Sequence, residues 1–147
     1  TIEKSFGKLQ IYKDGFAVGK ALYKGPAGIV KPIVQEKPWG AEVWLIFTKR
    51  YASKIMYLER GQRFSLQKHK VKEERWLVLA GHPIITLNNK KIHAKPSMML
   101  HCRTRTIHRI EAMNGPVQIL EISSPELHDA VRLSDDYMRM GQKYNPW

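Results

Sequence analysis

Between Gly61 and Gly81 the chain reads Gly-Gln-Arg-Phe-Ser-Leu-Gln-Lys-His-Lys-Val-Lys-Glu-Glu-Arg-Trp-Leu-Val-Leu-Ala-Gly. Gln67, His69 and Glu74 fall there at the spacing that three metal ligands of a small β-barrel would need, and His108 follows as a fourth candidate. Alternate side chains of a strand share a face, so Gln67 and His69 can point to one spot while Lys68 and Lys70 point away. Glu74 arrives from the next stretch of chain, bounded by glycines that permit sharp turns. Two imidazoles, a carboxylate and an amide suit zinc, iron, manganese or nickel, with coordination positions left open for water or substrate. A lone histidine on a half-buried strand is more often a hydrogen-bonded packing residue; the conjunction of all four side chains points to a metal.

Positioning such a set requires many short strands, and the chain supplies them. Apolar or alternating runs lie at Ile29–Val34, Val43–Phe47, Ala52–Leu58, Arg63–His69, Arg75–Leu79, Ile84–Leu87, Ser97–Leu100, Ile107–Glu111 and Val117–Ile122. Two further runs, Leu9–Tyr12 and Phe16–Val18, flank Lys13-Asp14-Gly15 as a hairpin would. Asn88-Asn89-Lys90 and Met113-Asn114-Gly115-Pro116 carry turn chemistry as well. Strands at this spacing predict a closed or sandwich-like all-β fold, because an open sheet would leave unpaired edges. Helix is expected only in the tail, from Pro125 to about Met140, with Ser124 or Ser134 as N-caps.

The 147 residues fit one domain with one core, and their hydrophobic fraction of 43% is ordinary for a globular protein. No apolar run approaches the roughly 18 to 20 residues that span a bilayer, and Thr1-Ile2-Glu3-Lys4-Ser5 lacks a secretory hydrophobic stretch, so a cytoplasmic protein without membrane partners is expected. Cys102, the single cysteine, excludes an internal disulfide and reads as a packing residue. The net charge of +12 favours anionic partners. Its densest stretch, Arg60 to Arg75, overlaps the proposed ligands and favours a phosphate or carboxylate at the metal. Nucleic acid is disfavoured, because Trp39, Trp44, Trp76 and Trp147 are not interleaved with basic residues in a recognised module.

The stretch from Gly61 to Gly81 resembles the first motif of the cupin superfamily, with Gln67 where that motif has its first histidine and His69 as its second. In the second motif Ser97, Arg103, Arg105 and Ala112 stand at the Gly, Pro, Gly and Asn positions, and His108 is kept. A closer resemblance is to the cupin domain of type II phosphomannose isomerases with mannose-1-phosphate guanylyltransferase activity, and to their short stand-alone relatives. It rests on Lys37-Pro38-Trp39-Gly40, Phe64-Ser65-Leu66-Gln67-Lys68-His69, Glu74-Arg75-Trp76-Leu77-Val78, His108-Arg109-Ile110-Glu111 and Val131-Arg132-Leu133-Ser134-Asp135-Asp136-Tyr137-Met138-Arg139. The resemblance implies a cupin-type jelly-roll barrel over residues 37–147, ending in a short helical or irregular tail; residues 1–36 lie outside it and are expected to form an N-terminal strand extension.

The same resemblance implies a divalent metal on Gln67, His69, Glu74 and His108, zinc first, with manganese, iron, cobalt or nickel as alternatives. It further implies interconversion of mannose 6-phosphate and fructose 6-phosphate through an enediol, as a step of GDP-mannose biosynthesis. Guanylyl transfer is not expected, since the glycine-rich signature of the nucleotidyltransferase domain is absent. Lys72, at the position of a family arginine, is expected to act in catalysis together with Tyr137 and Arg139, which would close the site. Arg63, Ser65 and Arg105 are the expected contacts to the sugar phosphate. Alternatives are a non-catalytic sugar-binding barrel and a metal-dependent oxygenase, the latter disfavoured by the Gln ligand. A homodimer paired through sheet edges is expected.

Overall fold

The computed structural model describes residues 11–12, 27–30, 32–126 and 129–141. Twelve strands are formed there: β1 (Ile11–Tyr12), β2 (Ile33–Lys37), β3 (Gly40–Phe47), β4 (Ala52–Leu58), β5 (Leu66–His69), β6 (Glu74–Ala80), β7 (Ile84–Leu87), β8 (Lys90–His93), β9 (Met99–Cys102), β10 (His108–Glu111), β11 (Val117–Ser123) and β12 (Ala130–Ser134). They make a seven-stranded sheet in the order β1-β2-β3-β4-β11-β6-β9 and a five-stranded sheet in the order β12-β5-β10-β7-β8. All pairings are antiparallel except β1 with β2. The result is the expected all-β jelly roll, and among the described residues no helix is long and apolar enough to cross a membrane.

The expected strands Ala52–Leu58 and Ile84–Leu87 form with those bounds, and most others shift by a residue or two. The hairpin turn Lys13-Asp14-Gly15 and its second strand lie outside the described residues. At Asn88 the backbone takes a left-handed φ of 55°, as the Asn88-Asn89 hairpin signal requires, and the largely exposed β8 is its second strand. The tail departs from the helical alternative. Ala130–Ser134 is instead a strand, pairing Val131 with Lys68 and Arg132 with Gln67, which covers the edge of β5. An edge strand offering unpaired N–H and C=O groups binds such a segment more strongly than weak helical periodicity can oppose.

Gly40 sets the entry to the barrel. A Cβ on its backbone, at φ 151°, would stand 1.9 Å from the carbonyl oxygen of Tyr57. Only glycine lets β3 leave the Pro38-Trp39 turn and pair with β4 at Leu58.

The barrel interior is graded along the strands. At one end Leu58, Val78, Val117, Ile119, Ile85, Ile110 and Phe64 pack with Trp39, Met56 and Trp76 into a buried core. Toward the other end the inward positions turn polar: Met56 and Leu58 are followed back along β4 to Lys54, Val117 and Ile119 lead up β11 to Glu121, and Val78 and Trp76 lead back along β6 to Glu74. Cys102 is buried in the core, as its packing role predicts, and burial, followed by the nearby Glu74 and Glu121 charges, pushes its thiol pKa up.

Candidate metal centre

The polar end of the barrel is a cavity of about 630 Å³, counting the space where it opens to solvent. His69 on β5, Glu74 on β6 and His108 on β10 meet in its wall, with ligand atoms all within 4.8 Å of one another. His69 Nε2 is 3.4 Å from Glu74 Oε1, and His108 Nε2 is 3.5 Å from Glu74 Oε2. The two sheets thus contribute jointly, the imidazoles from one and the carboxylate from the other.

Both rings are oriented from behind. His69 Nδ1 lies 2.9 Å from Asp129 Oδ1, and His108 Nδ1 lies 2.9 Å from the carbonyl oxygen of Thr106. Both of these partners accept, so each Nδ1 carries a proton, and in the corresponding tautomer Nε2 turns a lone pair toward Glu74. Lone pairs and carboxylate oxygens facing one another repel unless a cation sits between them. His69 Nε2 and Glu74 Oε2 are buried without a hydrogen-bond partner, the condition a metal would relieve. Burial works against the Glu74 charge, yet the Lys72 ammonium, 2.6 Å from Oε1, holds its carboxyl well below the usual range. Burial, aided by His69 and Lys72, lowers the pKa of His108 against the pull of Glu74, which keeps the ring neutral and able to ligate. The trio fits a divalent metal.

Asp129 deserves a role of its own. Its second oxygen accepts the backbone N–H groups of Val71 and Lys72, both at 2.7 Å, so one carboxylate fixes a ring and a loop together. Burial opposes its charge, but those two N–H groups and His69 keep its pKa lowered. Asp129→Asn is expected to weaken metal affinity about 10- to 100-fold, the usual loss for such supporting partners, with the fold retained; titration with a chelator competitor measures it.

From the trio a chain of alternating charges crosses the seven-stranded sheet. Lys72 Nζ stands 2.6 Å from Glu74 Oε1 and 3.2 Å from Glu121 Oε2. Lys54 on β4 lies between Glu121 at 3.9 Å and Glu42 of β3 at 2.7 Å, and Lys37 of β2 ends the series 3.9 Å from Glu42. Lys72 remains protonated: burial alone would lower its pKa, but Glu121 and Glu74 raise it. Of the two carboxylates beside it, Glu121 is the one shifted up, by burial and by Glu74.

Lys37 is opposite in sign. Burial brings its pKa down to about 8, with Glu42 opposing and Lys54, Arg139 and Arg132 adding repulsion. Between pH 8 and its ordinary value of 10.5 the unfolded chain holds more protons at this residue than the folded one, so stability conferred relative to Lys37→Met must rise with pH across that window. Urea denaturation of both proteins at pH 7, 9 and 10.5 tests this, and an unchanged difference refutes it.

The remaining expected site residues divide. Ser65 and Arg139 line the cavity with Lys72, and the Ser65 hydroxyl donates to Gln67 Oε1 at 3.1 Å. Gln67 itself lines it, with Nε2 3.5 Å from His108 Nε2. Arg63 does not; it binds Asp136 at 2.7 Å and Glu111 at 3.1 Å. Tyr137 donates to Gln62 Oε1 at 2.6 Å and lies under the Arg139 guanidinium, while Arg105 sits on an exposed turn whose N–H reaches the carbonyl oxygen of His69. Lys37, Glu42, Lys54, Glu121, Asp129 and Arg132 were not singled out from the sequence. For Lys54 and Glu121 a signal existed: each is a charge at the inward parity of a strand whose other inward residues are apolar.

Comparison with known proteins shows the family and the fold. A mannose-1-phosphate guanylyltransferase of Klebsiella pneumoniae is 28% identical over 107 residues, covering 70% of this chain and 23% of the relative. The alginate biosynthesis protein AlgA of Pseudomonas aeruginosa is 26% identical over 110 residues, with 72% and 23% covered. The chain thus spans about a quarter of the length of these relatives. An RmlC-like cupin from Shewanella frigidimarina superposes with a TM-score of 0.59 at 11% identity, over 63% of this chain and 82% of that one, a likeness of fold. The family model described as mannose-6-phosphate isomerase C-terminal matches residues 32–142, which include every residue of the trio and of the charge series, and the chain belongs to that family of cupin domains.

Proposed function

We propose that this domain is a metal-dependent sugar-phosphate isomerase that interconverts mannose 6-phosphate and fructose 6-phosphate. The observation that carries the reading is the convergence of two imidazole lone pairs on a buried carboxylate inside a cavity rich in fixed cations. His69, Glu74 and His108 would hold the metal, with Gln67 as fourth ligand once a half-turn of its amide presents Oε1. Zinc suits this mixed nitrogen and oxygen set, as do manganese, iron, cobalt and nickel. The bound ion would supply Lewis-acid polarisation of the carbonyl and hydroxyl oxygens.

The chain's own groups would do the rest. Lys72, held as an ammonium, is placed to stabilise negative charge that develops on a substrate oxygen, a preorganised effect in a site partly shielded from water. Arg139, clamped by Asp135 at 2.7 Å and backed by Tyr137, presents a fixed guanidinium to the cavity. Ser65 orients Gln67 and is within reach of a ligand. Arg63 and Arg105 act through their neighbours, Arg63 by anchoring Asp136 and Arg105 by its bond to the His69 carbonyl.

A coupled assay for fructose 6-phosphate formation, with each metal in turn, tests the reading. Turnover that disappears on chelation and returns with metal is expected. Binding of mannose 6-phosphate without turnover in any metal would replace the isomerase by a sugar-phosphate binding barrel, and oxygen consumption would replace it by an oxygenase.

A further inference from the structure

Strand β5 carries two of the expected ligands, Gln67 and His69, and its partners in the sheet are unequal. It meets β10 in register at Gln67 with His108, whereas β12 runs beside its whole length, pairing Leu66 with Ser134, Gln67 with Arg132, Lys68 with Val131 and His69 with Ala130. Next to that ladder, Asp129 reaches His69 Nδ1 with one oxygen and the N–H groups of Val71 and Lys72 with the other. The orientation of the His69 ring and the backbone on either side of it therefore depend on residues of the tail.

That tail is light in apolar contact. All five residues of β12 are half-buried or exposed, while four of the seven in β11 are buried. Hydrogen bonds and side-chain clamps placed outside the cavity hold it instead. Arg109 of β10 donates from Nε to the carbonyl oxygen of Phe64 at 3.0 Å and from Nη2 to that of Ser134 at 3.1 Å, which bridges the two segments. Arg63 grips Asp136 with Nε at 2.7 Å and Nη2 at 3.1 Å, and reaches Glu111 of β10 with Nη1 at 3.1 Å. Tyr137 then packs against the apolar core and donates to Gln62. A segment with so few buried apolar residues opens as a local unit at a lower free energy than the whole fold.

We infer that residues 129–139 form a strap whose docking on β5 is coupled to metal loading, and that Arg63 is a positioning residue for the metal centre, acting through this strap. The inference rests on the metal centre of the reading above and not on its reaction. With the strap lifted, His69 loses the carboxylate behind its ring and β5 loses the ladder that sets Gln67 and His69. The open form then binds the ion more weakly, by about the 10- to 100-fold that a supporting partner contributes. Coupling is reciprocal, so a bound ion favours the docked strap by the same factor. Docking also brings Arg132 and Arg139 to the cavity wall, so metal loading and completion of the cavity go together.

Hydrogen exchange of the full chain, read by mass spectrometry with and without saturating zinc, tests the coupling. In the metal-free chain the amides of β12 should exchange faster than those of β11, and zinc should slow them about 10- to 100-fold while the exposed strand β8 keeps its rate. Asp136→Asn alters a side chain that is 43% exposed and should speed β12 about 2- to 5-fold, the contribution of a partly exposed ion pair, with β8 and β11 unchanged. Asp129→Asn at full zinc occupancy should lose most of the zinc effect on β12. Exchange of β12 that ignores zinc in a chain shown to hold it, that matches β11 without metal, or that keeps the whole zinc effect in Asp129→Asn would each overturn the coupling. Rates in β12 left unaltered by Asp136→Asn would remove Arg63 from it. Should the variants fail to fold, the two comparisons on the unaltered chain decide. A chain that takes up no zinc, manganese, iron, cobalt or nickel removes the metal centre and the coupling together, whereas zinc-dependent exchange without isomerisation leaves the coupling standing and removes the isomerase.

Discussion

Replacing Glu74 by alanine is expected to reduce bound divalent metal from about one ion per chain to an undetectable level. Glu74 is the only carboxylate of the trio and touches both rings, at 3.4 and 3.5 Å, so its loss removes the anionic ligand and the group that holds the other two in register. Loss of a supporting partner alone costs about 10- to 100-fold in affinity, and loss of a ligand must exceed that. His108→Ala should act alike, since its ring is 1% exposed and solvent cannot take its place at the ion. Elemental analysis of the purified proteins, repeated after incubation with zinc, gives the answer. Full occupancy in both variants would remove the metal centre.

The second large effect concerns the neighbour of that ligand. Lys72→Met should destabilise the metal-free protein by about 3 to 5 kcal/mol, because it leaves two buried carboxylates, Glu74 and Glu121, facing each other with their shared cation gone. Lys54 relieves this little, being 3.9 Å from Glu121 and already bound to Glu42 at 2.7 Å. Metal should restore much of the loss by replacing the missing positive charge beside Glu74, so the deficit is largest in chelator. Urea denaturation with and without zinc measures both numbers. A change below about 1 kcal/mol in chelator would show that the charge series contributes little, as surface ion pairs do.

Much of the site was legible in the sequence because strand periodicity is simple. Gln67 and His69 share a face by parity, and Glu74 and His108 begin strands that enter the same end of the barrel. The turn at Asn88 was legible because asparagine tolerates the left-handed backbone that a tight hairpin needs. What was not legible depends on cross-strand neighbours far apart in the chain. Glu42, Lys54 and Glu121 are adjacent only because β3, β4 and β11 are adjacent, and no local pattern announces that order. Arg132 and Asp129 were hidden for a related reason: the tail has weak intrinsic preference, and the open edge of β5 decides its conformation.

The alternating series from Lys37 to Glu74 constrains how such a barrel can diverge. Each inner member balances its neighbours, so a neutralising change at Lys54, Glu121 or Lys72 leaves a buried charge without its partner. Descendants that keep the fold must therefore alter these positions in matched couples, lysine together with glutamate. In this domain, then, a change of charge on one strand calls for a compensating change on the next.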